Sequence, residues 1–190
     1  MALGVGLIIG VIVLLIVIAI GGYIVAIFNG LIRLKNNIKK SLGNIDVLLK
    51  QRNDELPKLI NTVKGYMKHE KGVLTEITKA RSIYSNAGND IHKKAKADNM
   101  LSGALKTLFA VAENYPQLKA NESFLKLQDS LEGTENRIAV ERKRYNEAVR
   151  IINTYIRTVF GRFFAGLAGV SAAEYYDIPE GEAATPEVKF

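Results

Sequence analysis

Hydrophobic and polar positions divide the chain into an uncharged start and a remainder with helical periodicity. No charged side chain occurs from Met1 to Ile32, and four basic residues follow directly: Arg33, Lys35, Lys39 and Lys40. About 20 apolar residues are enough for a helix to cross a bilayer, so the pattern predicts a transmembrane anchor over residues 1–32. The run is too long for a cleaved signal peptide and lacks its basic start, so we expect it to be retained. The basic flank predicts a single-pass protein of the cell membrane, with the N-terminus outside and the rest in the cytoplasm.

Small residues recur every four positions within the anchor. They form two groups: Gly6 and Gly10, and then Gly22, Ala26 and Gly30. Such spacing makes a flat strip on one face of a helix, along which two membrane helices can approach closely. The strip therefore favours self-association, although glycine is also common in membrane helices that do not pair.

Beyond the anchor, inward positions alternate at spacings of four and three from Ile38 to Tyr84. This is the pattern of helices packed lengthwise. The step from Leu56 to Ile60 shifts the phase by one residue, at Pro57. Two interpretations stay open: one long helix kinked at the proline, or a break at which Pro57 opens a new helix. The apolar stripe on both sides favours the kinked helix.

The rest of the chain predicts further helices and a tail. Residues 85–98 are rich in Asn, Gly, Asp and Lys and predict a turn region, which a shorter helix over 99–114 follows. A third long helix is predicted from Asn121 to Phe160, because one column of apolar residues repeats every seven positions there. The bundle therefore covers residues 33–160, and residues 161–190 form an apolar, glycine-punctuated segment and an acidic, flexible tail.

Five charged residues fall on inward positions of this pattern. These polar seam residues are Arg52, Glu70, Arg81, Glu135 and Arg142. Buried charges are normally paired, so we expect Arg52 or Arg81 to pair with Glu135, and Glu70 with Arg142. The pairs could form a polar site inside the bundle or could fix the register of its helices; the absence of metal-ligand spacing favours the second role.

No other pattern predicts chemistry. The sequence has no cysteine, and His69-Glu70 begins a zinc-protease motif whose second histidine position is occupied by Val73. We therefore predict no catalytic residues, no metal and no cofactor. The net charge of +7 fits contact with anionic membrane lipid. The sequence shows no nucleic-acid-binding motif, so no nucleic-acid partner is expected.

Several segments resemble the LemA family. The resemblance lies in residues 44–70, in Tyr115–Ala120 and in Thr134–Ile138, and it extends through Arg142 and Tyr145-Asn146 to the closing Pro186–Phe190. Glu55-Leu56 and Lys58, on either side of Pro57, depart from the commoner residues of the family. The resemblance covers nearly the whole chain and implies an N-terminal membrane helix with a cytoplasmic bundle of long antiparallel helices. It implies no activity.

Together these features predict an all-α protein with a transmembrane helix followed by an elongated antiparallel bundle. The expected function is that of a non-enzymatic scaffold or adaptor in the membrane, which self-associates as a homo-oligomer or recruits a protein partner that the sequence does not identify. The alternative is a subunit of a filament or membrane-remodelling assembly, built around packed N-terminal apolar helices.

Overall fold

The computed structural model describes residues 2–67 and 69–176, apart from the side chains of residues 2, 3 and 5. Within these residues it has six helices and no strands, which confirms the predicted all-α fold. The helices are α1 (Ala2–Lys64), α2 (Lys71–Ser85), α3 (Ile91–Ala112), α4 (Pro116–Lys119), α5 (Glu122–Tyr155) and α6 (Val159–Leu167). The predicted tail from Pro179 to Pro186 lies outside the described residues.

The chain divides into two compact units, which we call the anchor unit and the bundle unit. The anchor unit comprises residues 1–40 and 147–174, and the bundle unit comprises residues 41–146 and 175–190. Helices α1 and α5 contribute residues to both units.

Helix α1 continues through Pro57, as the kinked-helix interpretation requires, but it ends at Lys64. The expectation of one helix as far as Tyr84 is therefore wrong, since Lys71–Ser85 form a separate helix, α2. Gly65 follows the last turn of α1, where the backbone N–H of Met67 donates to the carbonyl of Val63 at 2.9 Å. The apolar phase did not reveal this break, because a turn between two helices can leave both apolar faces directed at one core.

Helix α3 begins at Ile91, eight residues before the predicted start. Asp90 caps it, because its carboxylate accepts a hydrogen bond from the backbone N–H of Lys93 at 3.0 Å. The true turn is short and contains Gly88 at a φ of 55°. Residues 91–98 were misassigned because their polar composition favours turns, whereas burial of one face holds them in a helix.

Helix α5 ends at Tyr155, and α6 replaces the last part of the predicted third helix. Thr158 caps α6 by accepting a hydrogen bond from the backbone N–H of Gly161 at 3.1 Å. A Cβ atom at Gly161 would overlap the carbonyl oxygen of Tyr155, so the turn between these helices requires glycine. Val159 falls within the helix predicted from Asn121 to Phe160, but it is 85% exposed at the start of α6.

The core of the bundle unit lies between α1, α2, α3 and α5, and α4 adds Leu118 to it. Its buried members are Leu56, Leu59, Val63, Met67, Ile77, Ala80, Leu101, Ala104, Leu105, Leu108, Ala112, Leu118, Phe124 and Leu131. The cross-helix contacts fix the helix directions. Along α1, Arg52 and Glu55 contact Glu135 and Ser130 of α5 in descending order, so these helices are antiparallel, as predicted.

In the anchor unit, every residue of α1 from 6 to 26 is exposed. These 21 residues would extend for about 32 Å at 1.5 Å per residue. Among the described helices, α1 alone is long and apolar enough to cross a membrane. Ile27 and Leu31 are the first buried residues after this exposed run, and they pack against Phe164 and Ala165 of α6.

Candidate functional site: a buried charge network

The most distinctive site in the bundle unit is a set of charged side chains enclosed by α1, α3 and α5. Asp98 of α3 lies at its centre, with a side chain that is completely buried. Its Oδ1 pairs with the guanidinium of Arg52 from α1, and its Oδ2 pairs with the guanidinium of Arg142 from α5. One carboxylate thereby links three helices, and every charge in contact with it has the opposite sign.

A second carboxylate also pairs with Arg52. Glu135 of α5 pairs with the Nη1 atom of Arg52, which also donates to the hydroxyl oxygen of Ser102 at 3.2 Å. The Ser102 hydroxyl donates in turn to Glu135 Oε1 at 2.6 Å. Two arginines and two carboxylates therefore balance, which is the condition under which a buried charge cluster is tolerated.

Tyr176, which follows α6 in the sequence, covers Asp98 and Arg142. Its hydroxyl donates to Asp98 Oδ2 at 3.0 Å, and the guanidinium carbon of Arg142 lies 5.5 Å from the centre of its ring. Burial, together with the neighbouring Asp98 carboxylate, raises the pKa of the Tyr176 hydroxyl far above its usual range. Burial alone would lower the pKa of Arg142, but the charge of Asp98 and its hydrogen bond raise it above the ordinary value. Tyr176 therefore stays neutral and Arg142 stays charged.

Two asparagines of α5 hold the segment that carries Tyr176. In the anchor unit, the Asn153 side chain donates to the carbonyl of Ala173 and accepts from its N–H, both at 2.9 Å. In the bundle unit, Asn146 makes the same pair of bonds with Tyr176, at 3.2 and 2.8 Å. The asparagines are seven residues apart on α5, and the residues they hold are three apart and in the reverse order. The two asparagine side chains thus bind the main chain of this segment at Ala173 and at Tyr176.

Three of the five polar seam residues meet in this network, namely Arg52, Glu135 and Arg142. The expected pairing of Arg52 with Glu135 is present, whereas Arg142 pairs with Asp98 rather than with Glu70. The carboxylate of Glu70 instead accepts a hydrogen bond from the Tyr115 hydroxyl at 3.1 Å. Arg81 is exposed, because α2 is a separate helix with its own phase and buries Ile77 and Ala80.

The sequence analysis missed Asp98, Ser102 and Tyr176. Asp98 had been assigned to a turn, yet the spacing of the apolar residues of α3 indicates that it lies on the buried face of this helix. Extending the column of Leu101, Leu105 and Leu108 backwards in steps of three and four leads to Asp98 and Lys94, both buried. Lys94 is paired as well, since its Nζ donates to Asp46 of α1 at 2.7 Å. Tyr176 follows no periodic pattern, and nothing in the neighbouring sequence indicated its contact.

The Glu135 side chain is 31% exposed and Ser102 is also partly exposed, so the network meets solvent at these residues. A groove of about 390 Å³ between α3 and α5 ends at Ser102 and Glu135, over a floor of apolar side chains: Leu105, Phe109 and Leu131. Among the described side chains, no three His, Asp or Glu residues converge as a metal site would require. The arrangement joins helices in a fixed register and leaves Arg52 and Asp98 1% exposed.

Comparison with known proteins agrees with the earlier resemblance. The model of the LemA family matches residues 41–190. This chain belongs to the LemA family. The match includes every residue of the charge network and its C-terminal cover.

The chain is also similar to individual named proteins. "Protein LemA" of Metamycoplasma hominis is 31% identical over 134 residues, which is 68% of this chain and 59% of that protein. Two magnetosome proteins of Paramagnetospirillum magneticum, MamQ 1 and MamQ 2, are each 34% identical over 80 residues, or 42% of this chain and 29% of theirs. The chain thus spans less than two thirds of the length of these relatives.

Proposed function

We propose that this LemA-family protein is a non-enzymatic scaffold, held in the cell membrane by α1, that self-associates and presents its bundle to a protein partner in the cytoplasm. The observation that carries the proposal is the composition of α1. A single continuous helix supplies an exposed apolar stretch over residues 6–26 and, farther along, the buried Leu56, Leu59 and Val63 of the bundle core.

The charge network supports a structural role over a catalytic one. Asp98 makes hydrogen bonds to two arginines and a tyrosine, so its oxygens are already occupied. A general acid or base needs a reachable proton position, and Arg52 and Asp98 have almost no exposed surface. Ion pairs of this kind define which helices pack together and in which register.

Self-association is supported by the strip of small residues. Gly22, Ala26 and Gly30 form a row that neighbours the row of Tyr23, Ile27 and Leu31, against which α6 packs. Apart from the adjacent residues and the nearby backbone of α1 itself, no described atom lies within 4 Å of a Cβ built at Gly6, Gly10, Gly22 or Gly30. A second helix therefore has room to approach the strip closely.

The orientation can be tested with single cysteines, because the chain has none of its own. We expect a cysteine at Ala2 to react with an impermeant thiol reagent on intact cells, and a cysteine at Asp90 to react only after the cells are opened. The opposite result would place the bundle outside and would remove the cytoplasmic partner from the proposal.

Assembly can be tested by Ala26→Leu, which fills the strip. We expect this variant to weaken self-association in a membrane two-hybrid assay, since leucine separates the helices. Val17→Leu is the matched control, because position 17 lies nine residues earlier and thus on the opposite face. Equal dimerisation by all forms would reject the strip as an interface. In mild detergent a scaffold should be released as small oligomers, whereas large sedimenting particles would favour the filament or membrane-remodelling alternative.

A further inference from the structure

Helix α6 has two apolar faces, although a helix of this length needs only one to pack. Its inner face, with Phe164 and Ala165, is buried against Ile27 and Leu31 of α1. Its outer face carries four large side chains that are 85%, 58%, 66% and 65% exposed: Val159, Phe160, Phe163 and Leu167. At 100° per residue these four positions fall within about 100° of the helix circumference, so they form one continuous apolar surface.

The position of α6 along α1 indicates what covers this surface. Phe160 meets the ring of Tyr23 edge-on, with centroids 6.2 Å apart, and Phe164 packs on Ile27 and Leu31. Tyr23 lies near the end of the exposed apolar run, residues 6–26, which matches the thickness of about 30 Å of a bilayer core. Tyrosine is also enriched where membrane helices leave the hydrocarbon. The outer face of α6 is thus continuous with the surface that the anchor presents to lipid.

The charges of the anchor unit fit the same location. The unit contains seven basic and two acidic residues, a balance of +5. Six of the basic residues are exposed: Arg33 and Lys35 follow the apolar run within nine residues, Lys39 and Lys40 lie one turn farther along α1, and Arg157 and Arg162 lie just before and on α6. Basic side chains beside an apolar helix face are the usual composition of a segment that lies in the headgroup region of an anionic leaflet.

From this combination we propose that α6 is an interfacial membrane helix. Its outer face, Val159, Phe160, Phe163 and Leu167, inserts among the lipids at the level where α1 leaves the bilayer, and the surrounding basic residues contact anionic headgroups. The inference rests on the proposed membrane anchoring of α1. It gives the apolar segment after α5 a role as a second, shallow membrane contact.

The test uses tryptophan, which the natural sequence lacks. Single variants Phe163→Trp and Leu167→Trp report on the outer face, Val13→Trp reports on the anchor, and Leu125→Trp is a control at an exposed position of the bundle unit. The full chain is reconstituted in vesicles of phosphatidylcholine and phosphatidylglycerol with bromine on the acyl chains, either near the headgroup or near the methyl end. Circular dichroism of each variant establishes that its helices are intact.

We expect tryptophan emission at positions 163 and 167 to shift to shorter wavelength and to be quenched most by bromine near the headgroup. Val13→Trp should be quenched most by the deeper bromine, and Leu125→Trp by neither. Quenching at position 13 without quenching at 163 and 167 would overturn the interfacial helix and leave the anchor in place. A blue-shifted but unquenched signal at 163 would also overturn it, since protein rather than lipid would then cover the face. Loss of quenching at position 13 would reject the anchor itself.

Discussion

Asp98 and Arg52 form an ion pair between α3 and α1, and each exposes only 1% of its surface. Because Asp98 also pairs with Arg142, replacing its carboxylate leaves two buried guanidinium groups without their shared partner. We expect Asp98→Asn to lower the free energy of unfolding by about 3–5 kcal/mol, the usual cost of breaking a buried pair from one side. Denaturant unfolding of the detergent-solubilised chain measures this loss.

Glu147→Gln is the control for Asp98→Asn. Glu147 pairs with Arg150 within α5, but both side chains are more than half exposed. Exposed pairs contribute little, so the free energy of unfolding should hardly change. Equally small losses for the two substitutions would mean that the network does not stabilise the bundle.

A second prediction concerns the coupling between Arg52 and Glu135. Their pair joins α1 to α5, and Ser102 bridges the same two groups. A double-mutant cycle with Arg52→Met and Glu135→Gln should give a coupling free energy of roughly 0.5–3 kcal/mol, since the residues are in direct contact. The lower part of this range is expected, because Glu135 is partly exposed to solvent.

The cycle of Glu70→Gln with Arg142→Met supplies the comparison. Glu70 bonds to Tyr115 and Arg142 to Asp98, so their effects on the free energy of unfolding should be additive. Coupling between Glu70 and Arg142, with additivity between Arg52 and Glu135, would contradict the arrangement of the network.

The residues of the charge network show which parts of the fold and of the site the sequence could predict. Heptad spacing predicted α5 and its buried column from Phe124 to Ile152, because every seventh residue of a packed helix returns to the same face. The same spacing predicted that Arg52 and Glu135 face inward on antiparallel helices. Their opposite charges then predicted that they pair. Periodicity does not reveal a break between two helices that both direct an apolar face at the same core. For this reason α1 and α2 were predicted as one helix.

Composition was the weaker guide. Asn, Asp and Lys favour turns locally, but burial of Lys94 and Asp98 in ion pairs outweighs that preference and extends α3. Tyr176 meets Asp98 from 78 residues away in sequence and outside any helix. A contact of that kind depends on the folded arrangement of α3 and α5, so no local pattern encodes it.

Tyr176 predicts a stability change at high pH. An unfolded tyrosine ionises near pH 10, whereas burial raises the pKa of Tyr176 in the folded protein. The folded state therefore keeps a proton that the unfolded state loses, so the stabilisation is complete below about pH 10 and declines above it. We expect the wild type to lose about 1.4 kcal/mol more per pH unit than Tyr176→Phe in that range.

The measurement for Tyr176→Phe is the free energy of unfolding on both sides of about pH 10. The difference in the free energy of unfolding between the wild type and Tyr176→Phe should be constant below this pH and should shrink above it. Tyr175→Phe changes the exposed neighbouring tyrosine and should retain the behaviour of the wild type. An alkaline decline that is equally steep in Tyr176→Phe would show that the Tyr176 hydroxyl does not cause it.

The last prediction concerns the asparagine that holds Tyr176 by its main chain. Asn146→Ala removes one donor and one acceptor from the Tyr176 backbone, at a net loss of about 1 kcal/mol for each hydrogen bond. Protection of the Tyr176 amide against hydrogen exchange should then fall by roughly thirtyfold, since about 2 kcal/mol of the free energy of opening is lost. Asn44→Ala is the matched control, because the Asn44 side chain donates to Glu141 on the surface of the bundle unit. If both variants protect the Tyr176 amide as well as the wild type does, the ring of Tyr176 rather than its main chain holds the segment over Asp98.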